Sequence, residues 1–182
     1  TLKNQSNMQL IAERGGARAV AHELETEATS TRKCLERFKW ELSDYKPHEK
    51  SMAMGYLAQL VSEIPAWIML MLNEGEIDFA TYQHQQPKNT EELVAFFDKN
   101  VKEAVAALLT VNDGDLEKKS FYFKRDGQTL LQTTRRASME STINHLVHHR
   151  GQLTVYMRLN DIDVPAIYGP SADDRTFGQL EK

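Results

Sequence analysis

The chain is poor in residues that fix structure through covalent links or local backbone restraint. Cysteine occurs once among the 182 residues, at Cys34, so no disulfide can form within the chain. Five prolines and nine glycines are too few for a low-complexity chain. The cysteine content favours a reducing compartment, so we expect a cytoplasmic protein in which Cys34 is a small buried apolar residue.

The chain also lacks long runs of one residue type, either basic or apolar. The chain has no basic run, and its net charge is -4 with a pI of about 5.9, which argues against a nucleic-acid surface. No apolar run looks long enough to span a membrane. Hydrophobic residues make up 41% and charged residues 26%, which predicts one globular domain. We therefore expect neither nucleic acid nor a membrane as a partner.

The chain does have strong helical periodicity. Apolar residues recur three and four positions apart, which predicts four helices, over residues 17–39, 51–74, 90–110 and 133–159. Leu24, Leu57, Phe97 and Leu153 should lie on their buried faces. With no convincing sheet pattern, the sequence predicts an all-α four-helix bundle. Its second and third connections are long enough for a crossover topology.

The connections and helix starts are less sharply marked. Residues 75–89 are predicted to form a polar connection with His84 on the surface, and residues 120–131 either a small hairpin or an irregular loop. Ser51 and Thr90 are the expected N-caps of the second and third helices. The predicted domain organisation is an N-terminal extension, the bundle and a C-terminal tail, over residues 1–16, 17–174 and 175–182.

Histidines cluster in the fourth predicted helix. His145, His148 and His149 fall within five residues. Side chains four apart share a helix face, so His145 and His149 point the same way, with Gln152 and Tyr156 continuing the stripe. Two imidazoles one turn apart can hold one metal ion. The alternative is a helix with solvated histidines, one of them bonded in the core.

Longer motifs in this chain resemble the DinB-like proteins over about residues 17–174. The motifs that carry the resemblance are His145-Leu146-Val147-His148-His149-Arg150-Gly151-Gln152-Leu153, Val164 to Asp173, Pro47 to Met52, Ile64 to Trp67, and Asp126 to Leu130. The resemblance implies a four-helix bundle, often dimeric, with a divalent metal held by three histidines. One ligand comes from the second helix and two from the fourth, where His145 and His149 match. Characterised relatives include metal-using, thiol-dependent transferases and isomerases.

One ligand of that implied set is missing. On alignment, the histidine of the second helix falls on Leu60, which cannot bind a metal. His48 precedes this position by twelve residues, about 18 Å along a continuous helix. Gln59 points about 100° away from Leu60, and Glu63 could take part only with a shifted metal. We therefore expect His145 and His149 to hold zinc or nickel at low occupancy, or not at all.

Two functional hypotheses follow from this departure. In the first, the chain is an enzyme in which a metal on His145 and His149 supports thiol transfer or hydrolysis of a small molecule. His148 and Tyr156 would then assist proton transfer, unless His148 is simply solvated. In the second, the bundle has lost its metal and binds a ligand or a partner without catalysis.

The resemblance also implies a homodimer. Met69, Met71 and Ile167 lie outside the four predicted apolar stripes, so they are candidates for apolar surface that a second copy would cover.

Overall fold

The computed structural model describes residues 16–176. Within these residues the chain forms five α-helices, three strands and one short 3-10 helix at Trp40–Leu42. The elements in chain order are α1 Gly16–Glu36, α2 Met54–Asn73, β1 Glu76–Asp78, α3 Thr90–Leu108, α4 Asp113–Lys118, β2 Ser120–Arg125, β3 Gln128–Thr134 and α5 Arg135–Leu159. Each of the four long helices begins and ends within three residues of its predicted bounds.

The four long helices share one apolar core. Helix α2 lies against α3 and α5, and α1 lies against the same two helices on its own side. Leu24, Leu57, Phe97 and Leu153 are each at most 1% exposed, as their periodicity predicts. The helix-rich class expected from the sequence is therefore confirmed for the described residues.

A small sheet corrects the expectation of a purely helical protein. Strand β2 pairs antiparallel with β3 and parallel with β1, in the order β1-β2-β3. The hairpin alternative for residues 120–131 is thus the observed one. The assignment of residues 75–89 as connection alone was wrong, because β1 occupies Glu76–Asp78. A three-residue strand is too short to show an alternating pattern in the sequence.

The hairpin turn is secured from β1. Asp126 and Gly127 both have positive φ, 52° and 74°, as a tight two-residue hairpin turn requires. Their backbone N–H groups donate to the Asp78 carboxylate at 3.1 and 2.7 Å. These hydrogen bonds, together with one from the Ala80 N–H, lower the pKa of Asp78. The turn that the Asp-Gly pair predicts therefore depends on a residue from a distant strand.

Two predicted N-caps were one or two residues out of place. Helix α2 begins after Ala53 rather than Ser51, with no side-chain cap. Helix α3 is capped by Asn89, whose side chain accepts a hydrogen bond from the Glu92 N–H at 2.8 Å. Thr90 is the first helical residue instead, and its hydroxyl donates to the Phe38 carbonyl.

Helix α2 is the most apolar element of the described chain. By length and hydropathy it could cross a membrane, contrary to the expectation that no such run exists. However, 61% of its most apolar window is buried inside the protein. It also continues through Pro65 without ending. Its composition is that of a core helix packed on two sides.

A buried ionic network ties α5 to α1 and to the chain that follows α5. Arg150, 1% exposed, donates from Nη1 to the Glu27 carboxylate at 2.6 Å and to the Thr31 hydroxyl at 3.1 Å. Its Nη2 donates to the Tyr168 hydroxyl at 2.8 Å, and that hydroxyl donates to Glu27 at 2.8 Å. The network gives every buried charge a partner.

The two predicted termini fall mostly outside the described residues. Of the extension over residues 1–16, only Gly16 is described, and it begins α1. Of the tail over residues 175–182, only residues 175–176 are described.

Candidate metal centre and adjoining pocket

His145 and His149 converge as the sequence predicts. Both project from the same face of α5, and their Nε2 atoms lie 2.6 Å apart. Their ring centroids are 4.4 Å apart. Two Nε2 atoms directed at one point can serve either as two ligands of one metal ion or as a donor and acceptor to each other.

Gln152 fixes the orientation of His149. Its Oε1 accepts a hydrogen bond from His149 Nδ1–H at 2.7 Å, which places the proton of the neutral ring on Nδ1. The lone pair is therefore on Nε2, the atom that faces His145. A partner on the far nitrogen is the usual arrangement for a histidine that binds metal. Gln152, three residues after His149, continues the histidine stripe, as the helical periodicity predicts.

The surroundings keep both imidazoles neutral. Burial lowers the pKa of His145 to about 4, and the neighbouring His149 and His148 add to the effect. Burial also lowers the pKa of His149, against the opposing effect of the Gln152 hydrogen bond. Neutral imidazoles retain the lone pairs that a metal requires.

The donor set fits two ligands of a metal site but not the three that the resemblance implies. Within residues 16–176, no three His, Cys, Asp or Glu side chains approach closely enough to hold one ion. Leu60, at the position of the missing histidine, is 8% exposed on the buried side of α2. His48 is exposed, and its Nδ1 accepts a hydrogen bond from the Lys50 N–H.

His148 and Tyr156, the two residues suggested for proton transfer, have different surroundings. His148 is exposed, although its ring centroid is 5.0 Å from that of His149. Tyr156 is 9% exposed, and its hydroxyl donates to the Met52 carbonyl at 3.3 Å. Its ring packs edge-on against Tyr45. Tyr156 therefore serves the packing of α5 rather than the histidine pair.

A second histidine contact was missed by sequence reasoning. His84, expected to be a surface residue without a partner, places Nδ1 3.1 and 3.2 Å from the two carboxylate oxygens of Glu63. Glu63 is fully buried on α2, whereas the His84 side chain is 34% exposed. Tyr82 packs against His84, and its burial next to Glu63 raises the pKa of its hydroxyl. A carboxylate inside the apolar pattern of α2 was the signal available in the sequence.

An apolar pocket opens beside His145. Its volume is about 420 Å³, within the range of small-molecule sites. Trp67 of α2 forms one wall, with its ring centroid 5.4 Å from that of His145. Phe79 and Phe123 of the β1–β2 region continue the lining. The pocket thus lies between α2, α5 and the sheet, and His145 is the member of the histidine pair that lines it.

The comparisons with known proteins agree with this architecture. The structure is similar to that of a DinB-like protein from Bacillus subtilis, with 20% identity and a TM-score of 0.62, covering 86% of this chain and 99% of that one. A DinB-like protein from Bacillus cereus is 21% identical with a TM-score of 0.61, covering 82% and 95% of the two chains. No curated protein matches the chain. At these identities the similarity shows the fold alone.

The family follows from the sequence match. The model of the DinB family matches residues 12–181, nearly the whole chain. The protein therefore belongs to the DinB family, as its motifs indicated.

Proposed function

We propose that this DinB-family protein is a transferase or hydrolase for a small molecule, working with a divalent metal, zinc or nickel, held by His145 and His149. The observation that carries the proposal is that the two Nε2 atoms face each other on one side of α5, with Gln152 holding the proton of His149 on Nδ1. A metal with bonds of about 2.0–2.1 Å would hold the two nitrogens about 3.3 Å apart, so it would replace their direct contact of 2.6 Å. With two protein ligands, most coordination positions are left to water or to a substrate thiol. We accordingly expect low metal occupancy.

The protein itself would position the histidine ligands and keep water away from a bound molecule. A bound divalent metal lowers the pKa of a thiol or a water molecule and polarises a carbonyl. Gln152 orients the His149 ring, and the burial that lowers the pKa of His145 to about 4 keeps that imidazole unprotonated at neutral pH. The pocket walls beside His145 shield a bound molecule from water, which strengthens polar interactions inside the site.

Cobalt(II) offers a direct test of the proposal. Untagged protein is titrated with cobalt(II) and then with 2-mercaptoethanol, and visible and near-ultraviolet spectra are recorded. We expect intense visible bands of a low-coordinate site and a sulfur-to-cobalt charge-transfer band after the thiol is added. Both should be lost in His149→Ala. Spectra identical to those of His149→Ala at every step would overturn the proposal.

Leu60 favours a second candidate, a bundle that binds a ligand without a metal. A buried aliphatic side chain stands where the third imidazole would be, and the adjoining pocket is mainly apolar. In that case His145 and His149 would be hydrogen-bonded to each other in the core. Absence of cobalt binding, combined with ligand binding in chelator, would select this candidate.

We also propose that the chain forms a homodimer and is cytoplasmic. Val155 and Leu159, one turn apart on α5, are each 57% exposed, and an apolar edge of this kind supports self-association. Met71 does not contribute to this edge, since it is fully buried. Light scattering at high micromolar concentration tests the dimer, and a monomer would contradict it.

The cytoplasmic location is supported by the free thiol of buried Cys34, which suits a reducing compartment.

A further inference from the structure

We propose that the pocket beside His145 binds a neutral molecule with an aromatic body and a hydroxyl or carbonyl group. The pocket's role as a substrate site rests on the proposed function, whereas its occupancy by such a molecule does not. The argument has three parts, namely the aromatic walls, one buried polar atom and the absence of charge.

The walls form a continuous aromatic series. Trp67 and Phe79 have ring centroids 6.1 Å apart at 62°, and Phe79 stacks on Phe123 at 6.2 Å and 21°. These separations are the usual ones for interacting aromatic rings. A ligand ring packed against these three rings would extend the series. The cavity volume of about 420 Å³ accommodates a fused two-ring system with substituents.

One buried polar atom in the wall has no hydrogen-bond partner within residues 16–176. Ser138 on α5 lines the pocket and is 0% exposed, and its Oγ is unpaired. The Nε1–H of Trp67, by contrast, lies at the Tyr82 hydroxyl, outside the pocket. An unpaired buried polar group costs about 1–3 kcal/mol. A ligand oxygen that reaches Ser138 Oγ would remove that cost.

The pocket carries no full charge at neutral pH. No Lys, Arg, Asp or Glu lines it in the described part of the chain. Arg135, the first residue of α5, donates instead to the Leu72 carbonyl. A phosphate or carboxylate in this pocket would lose its water without gaining a counter-charge, which is strongly unfavourable. The walls therefore favour a neutral ligand over an anion of the same shape.

Three probes with the same ring system separate these features. They are 2-naphthol, naphthalene, which lacks the hydroxyl, and 2-naphthoate, which is anionic at neutral pH. Binding is followed in chelator-treated protein by two-dimensional NMR of the indole N–H groups. The chain has two tryptophans, so the signal of Trp40 serves as an internal control for Trp67.

We expect 2-naphthol to shift the Trp67 signal and leave that of Trp40 in place. Affinity for 2-naphthoate should be at least about tenfold weaker, because a buried charge lacks compensation. Ser138→Ala should weaken 2-naphthol binding by about fivefold and leave naphthalene unchanged, as loss of one hydrogen bond predicts. His149→Ala should retain binding, so a failure of the metal proposal would not resemble a failure here.

A blocking variant tests the location. Ser141 is an exposed pocket residue on α5, and Ser141→Trp should fill the space and weaken 2-naphthol binding at least tenfold. Glu140→Trp, at the neighbouring exposed position outside the pocket, is the matched control and should bind normally. Ala137→Trp, also exposed at the pocket, provides a second blocking variant should the first fail to fold. An unmoved Trp67 signal, or equal binding of 2-naphthoate, would overturn the proposal.

Discussion

Two adjacent residues of α5, His149 and Arg150, belong to opposite kinds of buried polar site. Arg150 forms an ion pair with Glu27 at 2.6 Å, and Thr31 and Tyr168 complete its hydrogen bonds. The His149 ring forms hydrogen bonds with His145 and Gln152. The first site is a network built around paired charges. The second is a pair of neutral imidazoles, and Leu60 is the residue at the position where the resemblance implies a third ligand.

The comparison distinguishes polar groups that stabilise the fold from polar groups that remain available to a ligand. In the Arg150 network the charges of Arg150 and Glu27 are buried and paired with each other, and Tyr168, 65% exposed, is the member that reaches the surface. In the histidine pair, the two Nε2 atoms face one another and a pocket opens at the side of His145. A binding site needs polar atoms that can still bind a ligand, and space beside them. The two sites can therefore be distinguished by what their disruption costs.

The largest expected effect is on stability. Arg150→Met should reduce the free energy of unfolding by about 3–5 kcal/mol, because it leaves the Glu27 carboxylate buried without its partner. Urea denaturation followed by circular dichroism measures this change. His149→Ala, one residue away, should cost less, since it leaves no buried charge. Equal losses in both variants would remove the distinction between the sites.

Two controls sharpen that result. Arg158 lies on the same helix as Arg150 and forms an exposed ion pair with Asp173, which follows the helix. Arg158→Met removes this pair and should change stability far less. The double variant Glu27→Gln/Arg150→Met should recover much of the loss, because it removes both charges together. Additive losses in the double variant would show that the two charges do not stabilise one another.

Much of this architecture was predictable from sequence because it follows from periodicity. The four helical stripes and the facing of His145, His149 and Gln152 depend on residues three or four apart. The contacts that were missed join distant segments. His84 meets Glu63 across 21 positions, and Arg150 meets Glu27 across 123. Local sequence pattern carries no information on such pairs, so the motif that contains Arg150 does not reveal its partner Glu27.

A smaller effect concerns Cys34, whose pKa burial raises to about 11 against the opposing charge of Arg150. The unfolded chain ionises this thiol above pH 9.0, while the folded chain keeps it protonated. The stability contribution is therefore complete below pH 9 and is lost as pH rises through 11. Between these values the wild type should lose about 2 kcal/mol relative to Cys34→Ala. Parallel pH profiles of unfolding would contradict a buried thiol beside the network.

The smallest effect is expected at Gln152. Gln152→Leu removes the acceptor of the His149 Nδ1–H and should weaken zinc binding about tenfold, with little change in stability. Calorimetric titration of zinc measures the affinity. Gln152→Asn, with a shorter amide side chain, is the matched control for polarity at this position. Undiminished affinity in Gln152→Leu would mean that the hydrogen bond does not orient a ligand.

The central claim, that the histidine pair is a metal site lacking one ligand, is tested most directly at Leu60. Zinc is titrated by calorimetry into wild type, Leu60→His and Leu60→Phe, with His149→Ala as the negative control. We expect Leu60→His to bind at least about tenfold more tightly than wild type, since three protein ligands are the usual number for a catalytic zinc site, and Leu60→Phe to gain nothing. Wild-type affinity equal to that of Leu60→His, or no binding by either, would contradict the claim.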